Sequence, residues 1–198
     1  MKTDETLALE KALMLSTIEK RTFGVSEVTI GWFGKKRVDF MTTNTKGTIS
    51  CYEIKVTKSD FHSKHGHNFY GHYNYYVMTP KLYNEVKKEI PKDIGVLTAT
   101  IEDVEKYKGN ALQSKKRAVR QELSYKDATL MRLYLARSMS REVKKNFESE
   151  NKEMVADLKR RLDYWKSRAK SDGSSLSKCR NENTKLRREL RKRGIKID

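Results

Sequence analysis

Two neighbouring stretches of sequence decide the fold: KRVDFMTT at residues 36–43 and TISCYEIKVT at residues 48–57. Both are rich in the β-branched and aromatic residues that favour β-strands. The link between them begins Asn-Thr-Lys-Gly and suits a three-residue hairpin loop, because Gly47 can adopt the left-handed conformation that such loops need. We therefore expect two antiparallel strands joined by a tight turn.

The expected register of this hairpin places two acidic side chains opposite each other. If Asn44 pairs with Thr48, then Asp39 faces Glu53 across the strand pair, with Cβ atoms about 5 Å apart. Lys55 shares the face of Glu53, because alternate side chains of a strand point the same way. Like charges at this distance destabilise a sheet, and a divalent cation bound between them would offset the repulsion. Oxygen-only ligands point to Mg²⁺ or Mn²⁺ rather than zinc. The alternative is an ordinary surface hairpin with a Glu and a Lys on its wet face.

Around this hairpin, the first half of the chain alternates short helices and strands. We expect a helix over 3–20, strands over 26–32, 36–43 and 48–57, a helix over 59–70, a strand over 73–79, a helix over 81–89 and a strand over 94–100. A meander followed by a helical crossover gives a mixed sheet with helices packed on its faces. The predicted fold class is therefore α/β, and residues 1–105 are expected to form its core.

The second half of the chain differs in character. Residues 106–121 are basic and weakly patterned, and from Tyr125 the sequence is almost continuously helix-permissive, without proline. We expect a basic helical region over 106–150 that completes the first domain, and a basic tail over 151–198.

The tail carries a heptad repeat that predicts a coiled coil. Nine of its eleven core positions are apolar, and the phase is kept through the interruption at residues 172–175. One series of core positions is Val155, Leu162, Ala169, Leu176, Asn183 and Leu190, and the other is Leu158, Trp165, Asp172, Cys179 and Leu186. A lone Asn at a core position, here Asn183, commonly fixes register in two-stranded coils. We expect a homodimer through this helix, although Arg161 and Lys166 would repel across a parallel dimer. The alternative is a long solvated helix.

The charge of the chain favours a polyanionic partner. The 198 residues carry a formal net charge of +17. Residues 1–100 hold 15 basic and 11 acidic side chains, and the remaining residues hold 28 and 15. A balance of this size usually means nucleic acid, less often an acidic membrane surface, and sometimes only solubility.

Several classes of protein are disfavoured by composition. No apolar stretch is long enough to span a membrane, and the first residues place acids where a signal peptide would be positive. Cys51 and Cys179 lie far apart, which indicates neither a disulfide scaffold nor a cysteine-based zinc site. We expect a soluble protein of the cytoplasm, without a membrane partner.

The ensemble of motifs resembles the PD-(D/E)xK nuclease superfamily and, more narrowly, the MmcB-like DNA-repair family. The matching segments are Ser26-Glu27-Val28, Arg37-Val38-Asp39-Phe40, Cys51-Tyr52-Glu53-Ile54-Lys55-Val56, Lys58-Ser59-Asp60-Phe61, Asp93-Ile94-Gly95-Val96-Leu97 and residues 130–141. The resemblance spans about residues 20–141 and implies a restriction-endonuclease-like αβββαβ core. Val38 stands where the superfamily usually has Pro, and residues from 154 onward lie outside the resemblance.

The resemblance also implies roles for single residues. Asp39, Glu53 and the carbonyl of Ile54 would be the metal ligands, and Lys55 would be the catalytic lysine. Glu27 would be an auxiliary acid, and Glu10 or Glu19 of the first helix are weaker alternatives.

Basic side chains around the site are candidates for contact with phosphates. They are Arg37, Lys58, His62, Lys64 and His65. His62 and His65 lie three residues apart and would share one helical face. The histidines lack an obvious complete zinc ligand set, and core packing is the simpler interpretation of the tyrosines at 70–76.

Together these features predict a Mg²⁺-dependent or Mn²⁺-dependent DNA endonuclease acting in DNA repair, recombination or processing, in a bacterial or phage setting. The alternative is a catalytically inactive, nuclease-derived scaffold that binds nucleic acid and assembles through its coil. RNA remains open as a substrate, because no residue in the pattern recognises the sugar.

Overall fold

The central hairpin forms in the predicted register. The computed structural model describes residues 2–17, 21–31, 36–63 and 66–192. Strand β2 (Lys36–Asn44) runs antiparallel to β3 (Ile49–Lys55), with Phe40 opposite Tyr52 and Thr43 opposite Ile49. The backbone N–H of Asn44 donates to the carbonyl of Thr48 at 3.1 Å, and Gly47 has φ +78°. Both the pairing and the left-handed glycine are confirmed.

Within the described part of the chain, six strands make one mixed sheet in sequence order. The other strands are β1 (Thr22–Ile30), β4 (Tyr73–Met78), β5 (Gly95–Thr98) and β6 (Gln113–Lys116). The pairs β3–β4 and β4–β5 are parallel, and the pairs β1–β2, β2–β3 and β5–β6 are antiparallel. The α/β class with a mixed sheet is confirmed.

The helices are α1 (Asp4–Thr17), α2 (Lys58–Phe61), α3 (Pro80–Val86), α4 (Ile101–Tyr107), α5 (Tyr125–Glu150) and α6 (Lys152–Lys192), with a 3₁₀ turn at Lys108–Asn110. The described residues fall into two compact units, Met1–Val143 and Lys144–Asp198, which divide within α5. The predicted ends of the first helix at residue 20 and of the first strand at residue 32 lie outside the described residues.

The predicted helix over 59–70 is wrong, because only one turn forms. The hydroxyl of Thr57 caps that turn by accepting from the N–H of Asp60 at 3.1 Å. After Ser63 the described chain is irregular, with Gly66 at φ +74° and no helix from His67 to Tyr70. The glycine disfavours continuation of a helix. Two elements were not predicted from the sequence. Helix α4 begins just before the basic stretch 106–121, and strand β6 lies inside it.

Helices cover both faces of the sheet. On one face, α1 and α4 bury an apolar cluster against the strands, consisting of Leu9, Ala12, Leu13, Phe40, Ile54, Val77 and Val104. On the other face, α5 packs over β1–β3 through Ala128, Met131 and Leu135 against Val28, Met41 and Cys51. Beside it, α3 packs over β4 and β5 through Leu82 and Val86 against Tyr76 and Met78. Burial of this apolar surface is the main term that stabilises the fold.

Three arginines of α5 bind backbone carbonyls of the strands. Arg132 donates to Gly47 at 2.9 Å in the hairpin turn, and Arg137 donates to Thr29 and Gly31 at 2.7 and 2.9 Å. Arg141 donates to the carbonyl of Glu27 at 2.8 Å. These charge-assisted bonds fix the strand ends against α5.

No helix among the described residues is long and apolar enough to cross a membrane.

We predict opposite effects of the same substitution at two glycines. A Cβ at Gly24 would lie 2.8 Å from two ring carbons of Phe40, which is fully buried, so Gly24→Ala should destabilise the protein by about 1–3 kcal/mol. A Cβ at Gly173, inside α6, would meet nothing within 4 Å, so Gly173→Ala should raise helix stability by about 0.5–1 kcal/mol. Thermal unfolding followed by circular dichroism tests both. A Gly24→Ala variant as stable as wild type would contradict the close packing on Phe40.

Candidate active site

The structure brings Asp39, Glu53 and Lys55 together on the face of the sheet that α5 covers in part. Glu53 and Lys55 point to this face, while Ile54 between them is buried on the α1 side. Glu53 is 0% exposed and Lys55 is 2% exposed. The pairing of β2 with β3 extends to Phe40 and Tyr52, the neighbours of Asp39 and Glu53, and the Asp39 carboxyl lies near enough to raise the pKa of Glu53. The predicted wet hairpin face, the alternative interpretation, is therefore wrong, since two ionisable side chains are buried here.

Asp39 is held by the backbone of the neighbouring strand. Its Oδ2 accepts from the N–H of Ile54 at 2.9 Å. Burial raises the pKa of Asp39 above its ordinary value, and this effect outweighs the Ile54 N–H and the positive charges of Lys55 and Arg37.

The carboxyl of Glu53 has one oxygen with a donor and one without. Oε1 accepts from the N–H of Asn68 at 3.2 Å, whereas Oε2 has no hydrogen-bond partner among the described residues. Burial, and after it the nearby Asp39 carboxyl, raise the pKa of Glu53 to about 9 despite the opposing effects of the Asn68 N–H and the Lys55 charge. Without a cation, the pair therefore favours a protonated Glu53 at neutral pH.

Lys55 is fixed by the helix that follows its strand. Its Nζ donates to the carbonyl of Asp60 at 3.0 Å and to Oδ1 of the same residue at 3.2 Å. The Asp60 carboxylate is thus the anchor of the buried ammonium. The lysine charge also partly opposes the rise in the pKa of Asp39 and of Glu53. The sequence placed Asp60 at a helix start but did not identify it as the partner of Lys55.

A short loop closes over these side chains. A Cβ at Gly66 would lie 2.7 Å from Lys55 Nζ and 3.2 Å from Glu53 Oε2, so the main chain passes directly over both. Asn68 donates its side-chain amide to the carbonyl of Arg37 at 2.8 Å, in addition to its backbone bond to Glu53. Neither Gly66 nor Asn68 was predicted from the sequence as part of the site, although a glycine inside a predicted helix was a signal for an irregular loop.

Tyr76, on the neighbouring strand β4, lies beside Glu53 and contacts His67 of the loop. It lies opposite Glu53 in the β3–β4 register and is buried, which together with the Glu53 charge raises its pKa to about 12. Its hydroxyl is 2.6 Å from Nδ1 of His67, whose Nε2 is 2.9 Å from the carbonyl of Ser63. A carbonyl only accepts, so Nε2 of His67 donates and, in the neutral ring, Nδ1 accepts from Tyr76.

The predicted auxiliary acid, Glu27, lies at the edge of the site. Its φ of +56° is unusual for a residue other than glycine, and Arg141 binds its carbonyl. Its carboxylate pairs with Lys2 at 3.1 Å and with Arg37 at 3.5 Å. Lys2 also pairs with Glu10, the weaker alternative, and Glu19 lies outside the described residues. The auxiliary role of Glu27 stays a prediction.

The residues predicted to contact phosphates differ in their surroundings. Arg37 and Lys58 are both exposed. The positive charge of Arg37 acts to lower the pKa of Asp39, so Arg37 lies beside the site. His62 is exposed but pairs with Glu89 at 2.6 Å. Lys64 and His65 lie outside the described residues.

The donor set fits a hard divalent cation with few protein ligands. Among the described residues no group of three or more His, Cys, Asp or Glu side chains could hold a metal ion. The site instead offers two carboxyls, and one buried oxygen, Oε2 of Glu53, has no donor. Mg²⁺ prefers oxygen ligands and commonly takes only one or two carboxylates, with water and substrate phosphates completing its octahedron.

Comparison with family models and with curated proteins finds no match for this chain. Among solved structures, the chain is similar to a protein of unknown function from Silicibacter pomeroyi, with a TM-score of 0.61 and 17% identity. The similarity covers 76% of this chain and 97% of that protein. At this identity the likeness shows a shared fold alone.

We predict that the metal-free protein loses stability as pH rises. Between the ordinary carboxyl pKa and about 9, the unfolded chain ionises Glu53 while the folded chain keeps it protonated, so the unfolding free energy falls with pH. Glu53→Gln mimics the protonated form. In EDTA at about pH 8 it should melt above wild type, by roughly 2–4 °C for each kcal/mol regained, and the gap should shrink toward about pH 4.5.

The matched control is Glu85→Gln, the same change at an exposed position of α3, which should leave the melting curve unchanged. An equally large gap at both pH values would show that packing of the amide, rather than ionisation of Glu53, sets the difference.

Proposed function

We propose that this protein is a metal-dependent DNA endonuclease built on a restriction-endonuclease-like core. The observation that carries the proposal is the buried carboxyl of Glu53 next to the half-buried carboxyl of Asp39, beside the anchored ammonium of Lys55. Two mutually repelling acids shielded from water do not stabilise a fold. Ionisable groups with strongly shifted pKa values are concentrated at functional sites. The resemblance to the MmcB-like family adds a role in DNA repair, recombination or processing, in a bacterial or phage setting.

Asp39, Glu53 and the carbonyl of Ile54 are the groups that would hold Mg²⁺ or Mn²⁺. When bound, such an ion lowers the pKa of a coordinated water and neutralises charge on the scissile phosphate. The N–H groups of Ile54 and Asn68 orient the two carboxyls, each by one hydrogen bond.

Lys55 supplies a fixed positive charge at the reacting phosphate. Its two bonds to Asp60 hold the ammonium in place. Its role is to orient water and phosphate and to stabilise charge that develops during attack, and Asp60 is the positioning residue for it.

DNA binding is mainly electrostatic in this proposal. The net charge of +17 and the exposed Arg37 and Lys58 near the site suit contacts with the phosphate backbone. Affinity should therefore fall steeply as salt rises.

The test is cleavage of labelled single-stranded, duplex, flap and four-way-junction DNA, and of matched RNA, in Mg²⁺, Mn²⁺ or EDTA. Asp39→Asn, Glu53→Gln and Lys55→Met should each lower the cleavage rate by about 10²-fold or more, since each removes charge that stabilises the transition state. Glu85→Gln and Lys87→Met make the same chemical changes at exposed positions and should cut like wild type.

Binding of the same substrates, measured by fluorescence anisotropy, separates chemistry from affinity. Retained binding with lost cleavage in all three site variants is the expected result. Wild type that binds DNA but cuts no substrate in either metal would overturn the enzyme proposal and favour an inactive scaffold. Cutting of RNA alone would overturn the assignment of DNA as substrate.

A second prediction concerns the loop over the site. Gly66→Ala adds a Cβ at φ +74° that would lie 2.7 Å from Lys55 Nζ, so the loop or the ammonium must move. We expect a loss of cleavage of about 10-fold or more, because misplacement by about 1 Å is costly in catalysis. Gly173→Ala, which meets no neighbour, is the control. Full activity of Gly66→Ala would show that the close approach is not needed.

A further inference from the structure

Helix α6 carries an exposed apolar stripe that the proposed nuclease chemistry does not use. The helix runs without interruption over Lys152–Lys192, 41 residues. Its large apolar side chains Leu158, Leu162, Trp165 and Leu176 are each between 52% and 65% exposed. They occupy the two alternating core positions of the heptad pattern and therefore lie along one line of the helix. An apolar line of this length marks an interaction surface.

The length of the stripe matches what a stable two-stranded coil needs. The core positions extend from Val155 to Leu190, about 54 Å of helix at 1.5 Å per residue. Nine apolar core positions per chain bury roughly 1,000–2,000 Å² in a pair, if each side chain loses about 60–120 Å². This area is in the range of stable protein interfaces.

The charges beside the stripe do not by themselves select an orientation. In a parallel pair in register, Glu182 of one helix meets Arg187 of the other, which attracts, and Arg161 meets Lys166, which repels. In an antiparallel pair centred on the same stripe, basic positions would face one another on one flank, and Arg161 and Arg168 would face Glu182 and Glu189 on the other.

The single Asn among the core positions favours a parallel pair in register. In a parallel pair in register, Asn183 meets Asn183 of the second chain, where the two amides can bond to each other. Any shift in register would oppose this amide to an apolar residue and leave it without a partner.

We propose that α6 pairs in parallel and in register with α6 of a second copy of this chain. The pair makes the protein a homodimer with two copies of the Asp39, Glu53 and Lys55 site in one particle. The Asp172-Gly173-Ser174-Ser175 segment lies in the middle of the seam and is its weakest part, because Gly173 adds no side chain and Asp172 is polar at a core position.

Cys179 reports directly on orientation. It is a core position of the heptad, so a parallel pair in register brings the two copies of this residue opposite each other, within reach of a disulfide. An antiparallel pair centred on the stripe separates them. Cys51, the other cysteine, is fully buried and cannot react between chains.

The test combines light scattering with mild oxidation of the full chain at about 10 µM. We expect twice the monomer mass of 23.2 kDa, and a disulfide-linked dimer in non-reducing gels that Cys179→Ser abolishes. Leu162→Lys with Trp165→Lys should halve the mass measured by light scattering. Ser167→Lys with Lys170→Ala, changes at exposed positions outside the seam, should remain dimeric.

Circular dichroism confirms that each variant keeps its helix. Wild type that stays monomeric at this concentration would overturn the proposal. A dimer that does not cross-link through Cys179 would overturn the parallel, in-register arrangement. Neither result depends on whether the protein cuts DNA.

Discussion

The repulsion between the carboxyls of Asp39 and Glu53 is the constraint around which the site is arranged. The hairpin brings them close together, and the sheet and the loop at 66–68 bury Glu53 while Asp39 is half-buried. Every neighbour then acts on this pair: Ile54 and Asn68 donate N–H groups to it, and Lys55 supplies an opposite charge. The repulsion that these groups do not offset is removed by a proton on Glu53 or, in the proposed function, by a bound cation.

The sequence predicted the part of the fold that depends on local rules. Strand propensity and a glycine turn were enough for the hairpin and its register, which bring Asp39 close to Glu53. The order of elements through β5 and the mixed sheet follow from the same patterns. The predicted helix over 59–70 failed because Gly66 interrupts it and because His67 and Asn68 bond to residues of neighbouring strands. Such tertiary contacts leave no periodicity in the sequence.

The same limit applies to the candidate site. The three central residues were predictable since spacing on adjacent strands fixes their geometry. Asp60 as the anchor of Lys55, and Tyr76 as the partner of His67, depend on where separate segments meet in space. Strand β6 was missed because its residues, Gln113–Lys116, are polar and mostly exposed, without the alternation that identifies a half-buried strand.

The bond between Arg141 and the carbonyl of Glu27 has a consequence for how the chain folds during synthesis. It joins residues 114 positions apart. At 5–20 residues per second, a ribosome makes Arg141 about 6–23 s after Glu27. The hairpin needs only local contacts and can form in microseconds, so the pairing of β2 with β3 does not have to wait for α5. The edge of the site at Glu27 is therefore completed last, when the helix docks on a sheet already assembled.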